Sequence, residues 1–111
     1  MAHASTERRA HKRHDLACPA RLVDEAGSFI ASGKTLNISD GGMLLAVRPE
    51  DAAAPGARAD VKLSVPRSTP NTYLMQPFNT PAIVVRFEKE PEGPSRVAVQ
   101  FATPLDLDLE L

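Results

Sequence analysis

Ala82-Ile83-Val84-Val85-Arg86-Phe87 is the stretch on which the fold turns. β-branched side chains follow one another here, and they suit a pleated, packed surface better than a helix, where their χ1 freedom is lost. Runs of the same kind recur on both sides. Downstream, Glu88 to Ser95 holds Pro91 and Gly93-Pro94 and reads as a turn, after which Arg96-Val97-Ala98-Val99-Gln100-Phe101 alternates. Upstream, Val61-Lys62-Leu63-Ser64-Val65 alternates cleanly. Pro66 to Asn71 reads as a loop, with Tyr73-Leu74-Met75 resuming pairing ahead of Pro77.

Further out, Pro49 to Ala59 is a connection with Pro55-Gly56 as its turn signal, and Met43-Leu44-Leu45-Ala46-Val47 is a short apolar strand. Ser39-Asp40-Gly41-Gly42 reads as a tight turn in which the paired glycines take positive φ without a Cβ clash. Phe29 to Ile38 is another strand, and Asp24-Glu25-Ala26-Gly27 a hairpin turn. The first strand spans Leu16 to Val23, with Pro19 at an edge or a bulge. The tail Leu105-Asp106-Leu107-Asp108-Leu109-Glu110-Leu111 alternates too, and fits a helix start or a frayed end equally well. Six short strands without an amphipathic helix predict an all-β domain, and a small antiparallel barrel is the natural way to hide the strand edges. The expected organisation is a flexible basic arm over residues 1–15, a barrel over 16–103, and a tail over 104–111 with little or no helix.

A chain of 111 residues is one domain, large enough to bury a core without staples. A lone cysteine, Cys18, excludes an internal disulfide and reads as a small core residue. No run approaches a membrane span and no apolar leader opens the chain, so the cytoplasm is the expected compartment. Net charge is only −1, which argues against a general nucleic-acid binder, but its distribution is uneven. Residues 1–14 carry +3 and the remainder −4. Such asymmetry suits an arm that meets an anion, a membrane surface, or the chain's own acidic loops.

Two segments carry chemistry. Arg9-x-x-x-Arg13, with Arg8 and Lys12 beside it, sets two guanidinium forks four residues apart, suited to phosphate oxygens or the O6/N7 edge of guanine. Alone, such a run is more often a solvated tail. Asn37-Ile38-Ser39-Asp40-Gly41-Gly42 gathers an amide, a hydroxyl and glycine N–H groups at a strand end, a set that binds polar edges or simply ties down its own turn. His11, His14 and Cys18 lack a fourth partner for structural zinc. No catalytic constellation stands out, and neither catalysis nor a resident cofactor is expected.

Taken together, Arg9 and Arg13 followed by Asn37-x-Ser39-x-x-Gly42 resemble the motif pair of the PilZ domain, and the order of strands over residues 8–103 is similar to that family. The resemblance implies a six-stranded barrel that binds cyclic di-GMP, a bacterial second messenger. By that similarity Arg9 and Arg13 grip phosphate and guanine from the arm, Asn37 and Ser39 contact the ligand from the barrel, and Gly42 keeps the turn tight, with Gly41 beside it counted among the ligand-binding residues. Arg8, a further basic residue before the motif, favours a stacked ligand dimer. Asn37 departs from the aspartate common at its position. Closure of the arm would alter a surface read by an unidentified effector protein. Two alternatives stand beside this: a PilZ-like adaptor that needs no nucleotide, and a small barrel binding single-stranded nucleic acid. The latter normally needs stacking aromatics, and this chain holds only Tyr73 and four phenylalanines.

Overall fold

A computed structural model of the chain describes residues 13–68 and 70–107. Its six strands are β1 (Pro19–Val23), β2 (Phe29–Ser39), β3 (Gly42–Val47), β4 (Arg58–Ser68), β5 (Tyr73–Glu88) and β6 (Ser95–Phe101). All neighbours are antiparallel, and they close into a barrel in the order β1-β2-β3-β6-β5-β4. The expected all-β barrel is the observed one. Alternation explains the interior: Leu22, Ala31, Leu45, Val47, Val61, Leu63, Val84, Val97 and Phe101 point inward and are buried together. Among the described residues no helix is long and apolar enough to cross a membrane.

Three boundaries differ from the sequence expectation. The first strand begins at Pro19, not Leu16. Residues before it instead run along β2 through other bonds, described below. The segment Pro66 to Asn71 is not all loop, because β4 continues to Ser68. Tyr73–Glu88 is one strand of 16 residues that passes through Pro77 and Pro81 without a break. The ladder to β4 stays in register across both prolines, Ser64 facing Pro77 and Asp60 facing Pro81. The carbonyl of Pro81 accepts from Ala102 N at 2.9 Å, so this residue's backbone faces away from β4. Pro77, four residues earlier, shares that edge by the strand's two-residue period. Their missing donors therefore cost no bond to β4.

β4 and β5 outrun the barrel. β1 pairs with β4 only from Asp60 to Leu63, and β6 meets β5 only from Ala82 onward. Beyond those points the two long strands form a two-stranded ribbon that reaches its tip at Ser68 and Tyr73.

The paired glycines of the β2–β3 turn are a second correction. Positive φ occurs at Gly27, Gly56 and Gly93, not at Gly41 or Gly42. Gly42 is demanded by close approach instead: a Cβ there would lie 2.4 Å from the Val99 carbonyl oxygen across the β3–β6 ladder. Gly33 is tighter still, its hypothetical Cβ 1.7 Å from the Ala46 carbonyl oxygen.

The tail is neither frayed nor helical as far as Leu107. Leu105 N donates to the Asp40 carbonyl at 2.7 Å, and Leu107 N donates to Asp40 Oδ1 at 3.1 Å. Leu107 is fully buried against the core, and its carbonyl accepts from the Arg67 guanidinium on β4. The tail thus closes one end of the barrel beneath the Asn37–Gly42 turn.

Candidate functional site

The arm is placed by one buried threonine and one backbone bridge. Thr35 Oγ1 donates to the Leu16 carbonyl and accepts from Cys18 N at 2.8 Å, while Thr35 N donates to the Cys18 carbonyl at 3.0 Å. Two turns of that ladder further on, His14 N donates to the Ile38 carbonyl at 2.8 Å and Ile38 N donates back to His14 at 2.9 Å. Residues 14–18 therefore lie along β2, and Arg13 arrives at the Ser39 end of that strand, in the same groove as Asn37. Cys18, at the seam between this segment and β2, is fully buried, and burial pushes its thiol pKa up against the lowering by its Thr35 contact and by Arg67.

Two bulges prepare the barrel wall that Arg13 meets. β2 pairs Thr35 with Leu45 but Asn37 with Leu44, leaving Leu36 as an extra residue. β5 pairs Val84 with Val99 but Arg86 with Ala98, leaving Val85 extra. A bulge re-aims the side chain that follows it. Here the two bulges bring Asn37 and Arg86 onto one row across four strands, Asn37–Leu44–Ala98–Arg86. The neighbouring row reads Ser39–Gly42–Gln100–Ile83. Small residues, Gly42 and Ala98, floor the middle, and polar residues flank it on both sides. The result is an open groove of about 540 Å³ lined by Arg13, Asn37, Ser39, Gly41, Gly42, Arg86 and Gln100, among others.

The residues have unequal chemical freedom. Arg13 is exposed, and neither its guanidinium nor the half-buried Asn37 amide makes a hydrogen bond among the described residues. Arg86, on the opposite rim, is held by Glu88 of its own strand, Nε to Oε2 at 3.1 Å, which leaves its remaining N–H groups as donors for a ligand. Ser39 is engaged locally: its hydroxyl accepts from Gly41 N at 3.2 Å and lies 3.4 Å from the Gly42 carbonyl. That is the turn-tying role weighed from sequence. Two arginines facing each other over a small-residue floor, with donors along the rim, can hold an anion with planar heterocycles.

The structure brings together Arg13, Asn37, Ser39, Gly41 and Gly42. Arg8 and Arg9 lie outside the described residues. Arg86 and Gln100 were missed by the sequence reading. A signal for Arg86 existed: strict alternation through Ile83–Phe87 gives Val84 and Arg86 the same face, a conflict that a bulge resolves. A second hollow of about 290 Å³, lined by Arg58, Asp60, Pro81 and Ile83, holds none of the motif residues.

Comparison with known proteins agrees with this architecture. A family model described as the PilZ domain matches residues 7–111. Among solved structures, the chain is similar to the Bacillus subtilis inhibitor of motility (MotI/DgrA), at 18% sequence identity and a TM-score of 0.70. That match covers 91% of this chain but 46% of the other, so the chain spans under half of that protein's length. No curated protein sequence matches it.

Proposed function

Because the chain belongs to the PilZ domain family, we propose that it is a receptor for cyclic di-GMP, acting on an effector protein rather than catalysing a reaction. The observation that carries this is the single groove into which the His14–Ile38 bridge and the two bulges bring Arg13, Asn37, Ser39, Gly42 and Arg86. Arg13 offers its planar fork to a phosphate or a guanine edge from one rim. Asn37 supplies an amide that both donates and accepts, matching the mixed edge of guanine. Arg86 adds a second positive charge from the opposite rim, and Ala98 and Gly42 leave room for a flat base between them. Arg9 completes the clamp from the arm, and Arg8 adds a donor for a second, stacked ligand molecule. Ordering the arm over the ligand changes the surface around the β2–β3 turn, which an effector reads.

A nucleotide-independent adaptor is favoured by one observation, the Ser39 hydroxyl already committed to its own turn. Calorimetric titration separates the two. Cyclic di-GMP is added to the whole chain, with GTP and a short RNA as controls. Saturable heat with the dinucleotide alone supports the receptor, and its stoichiometry, one or two per chain, tests the role given to Arg8. Heat with none of the three leaves the adaptor, and heat with RNA alone overturns both.

A further inference from the structure

The β2–β3 turn that carries part of the groove, Ser39-Asp40-Gly41-Gly42, is not held by its own bonds alone. Glycine loses more backbone freedom on ordering than any other residue, so a turn with two of them keeps one shape only at a cost. From within, the Ser39 hydroxyl accepts from Gly41 N. Three further bonds reach the two central residues from outside, and one stretch of chain, residues 101–107, supplies them. Phe101 N donates to the Gly41 carbonyl at 2.9 Å, Leu105 N to the Asp40 carbonyl at 2.7 Å, and Leu107 N to Asp40 Oδ1 at 3.1 Å.

That stretch is anchored at both ends. At its far end the Leu107 side chain is fully buried in the core, and its carbonyl accepts from the Arg67 guanidinium. At its near end Ala102 N donates to the Pro81 carbonyl at 2.9 Å. Between the anchors, Ala102 and Pro104 line the groove together with Ser39, Gly41 and Gly42. Asp40 does not line it; its carboxylate is turned to the tail, where it accepts from Leu107 N.

We infer that residues 101–107 are a strap that presets the turn for ligand, with Asp40 as the positioning residue and Leu107 as the anchor. The inference rests on the receptor reading above and adds to it a second element that sets affinity. A site already ordered asks less ordering of its ligand, so binding is tighter with the strap in place. Coupling of this kind is reciprocal, and bound cyclic di-GMP tightens the strap in return.

Two measurements on the whole chain test this. In calorimetry, at a temperature where circular dichroism shows every variant folded, Asp40→Ala is expected to weaken cyclic di-GMP binding by about fivefold or more, the lower end of common coupling between two sites. Asp40→Asn keeps an acceptor for Leu107 N and is expected to recover most of that loss. Loss of negative charge alone would move both variants alike, and towards tighter binding of an anionic ligand. Leu107→Ala leaves every residue of the turn in place and should weaken binding as Asp40→Ala does; should it fail to fold, the two Asp40 variants decide. In native-state hydrogen exchange, saturating ligand should slow Leu105 N and Leu107 N, while Gly27 N, bonded to the Asp24 carbonyl at the other end of β2, keeps its rate. Wild-type affinity in Asp40→Ala, equal losses in Asp40→Ala and Asp40→Asn, or ligand that leaves or speeds exchange at Leu105 N and Leu107 N overturns the strap while the receptor reading stands. A wild-type chain that binds no cyclic di-GMP overturns both.

Discussion

The groove wall and the ribbon are built from the same antiparallel ladder, and β5 runs through both, yet they present opposite chemistry. On the wall, from Val84 to Glu88, β5 is laddered to β6, and its Val85 bulge turns Arg86 outward beside Ala98. On the ribbon, β5 has only β4 beside it, runs without a bulge through two prolines, and ends in large apolar side chains. Laddered to β6 within the barrel, the strand spends its side chains on registering a site. Laddered to β4 beyond the ends of β1 and β6, it is at liberty to project. One strand of 16 residues thereby serves two surfaces whose chemistry does not overlap.

The comparison breaks most readily at Arg13. Arg13→Ala should cost about 2–5 kcal/mol of cyclic di-GMP binding if the guanidinium makes a desolvated charge-assisted contact, with little change in stability. Arg86→Ala should cost less, about 1.5–3 kcal/mol, as expected for one hydrogen bond to a charged group. Calorimetry reads both, and wild-type affinity in either variant removes that residue from the site. Next in size is Gly42→Ala, whose new Cβ meets the Val99 carbonyl; strain of about 1–3 kcal/mol should appear in urea unfolding.

Asp40 sharpens the comparison from below, because it belongs to the groove's turn yet holds the tail that reaches the ribbon's base. Asp40→Ala removes the acceptor of Leu107 N and should lower stability by about 1 kcal/mol. Hydrogen exchange should then show faster exchange at Leu107 N, with the β3–β6 ladder unaffected. Smallest of all is Leu74→Ala. Being exposed, it should change stability by no more than about 0.5 kcal/mol, and cyclic di-GMP affinity not at all. A change in that affinity would mean that the two surfaces are coupled.

Alternation is a local signal, and it made a part of each of the six strands, and with them the barrel, legible from the sequence. Met43–Val47 and Arg96–Phe101 needed only their own residues to be read. The motif residues Arg13, Asn37, Ser39 and Gly42 were legible as a set because short spacing stands in for spatial nearness when a turn or an arm holds them. What escaped was non-local. The continuity of β5 through Pro77 depends on which edge lacks a partner, and only the barrel's strand order decides that. The grip of Asp40 on Leu107 spans 67 residues. Arg86 entered the groove by a bulge whose partner row sits on β6, so its side was hidden although its identity was plain. Gly42 was read as a glycine of conformation, whereas it is contact with the Val99 carbonyl that demands it.

The buried Cys18 thiol, the chain's one sulfhydryl, lies where residues 14–18 join β2. A thiol reagent in solution can reach it only when that seam parts, so the rate of alkylation under native conditions is a clock for opening at this one place. Because the seam also sets the position of Arg13, the clock should slow as ligand is added. The molecule carries its own occupancy gauge, with no label to attach.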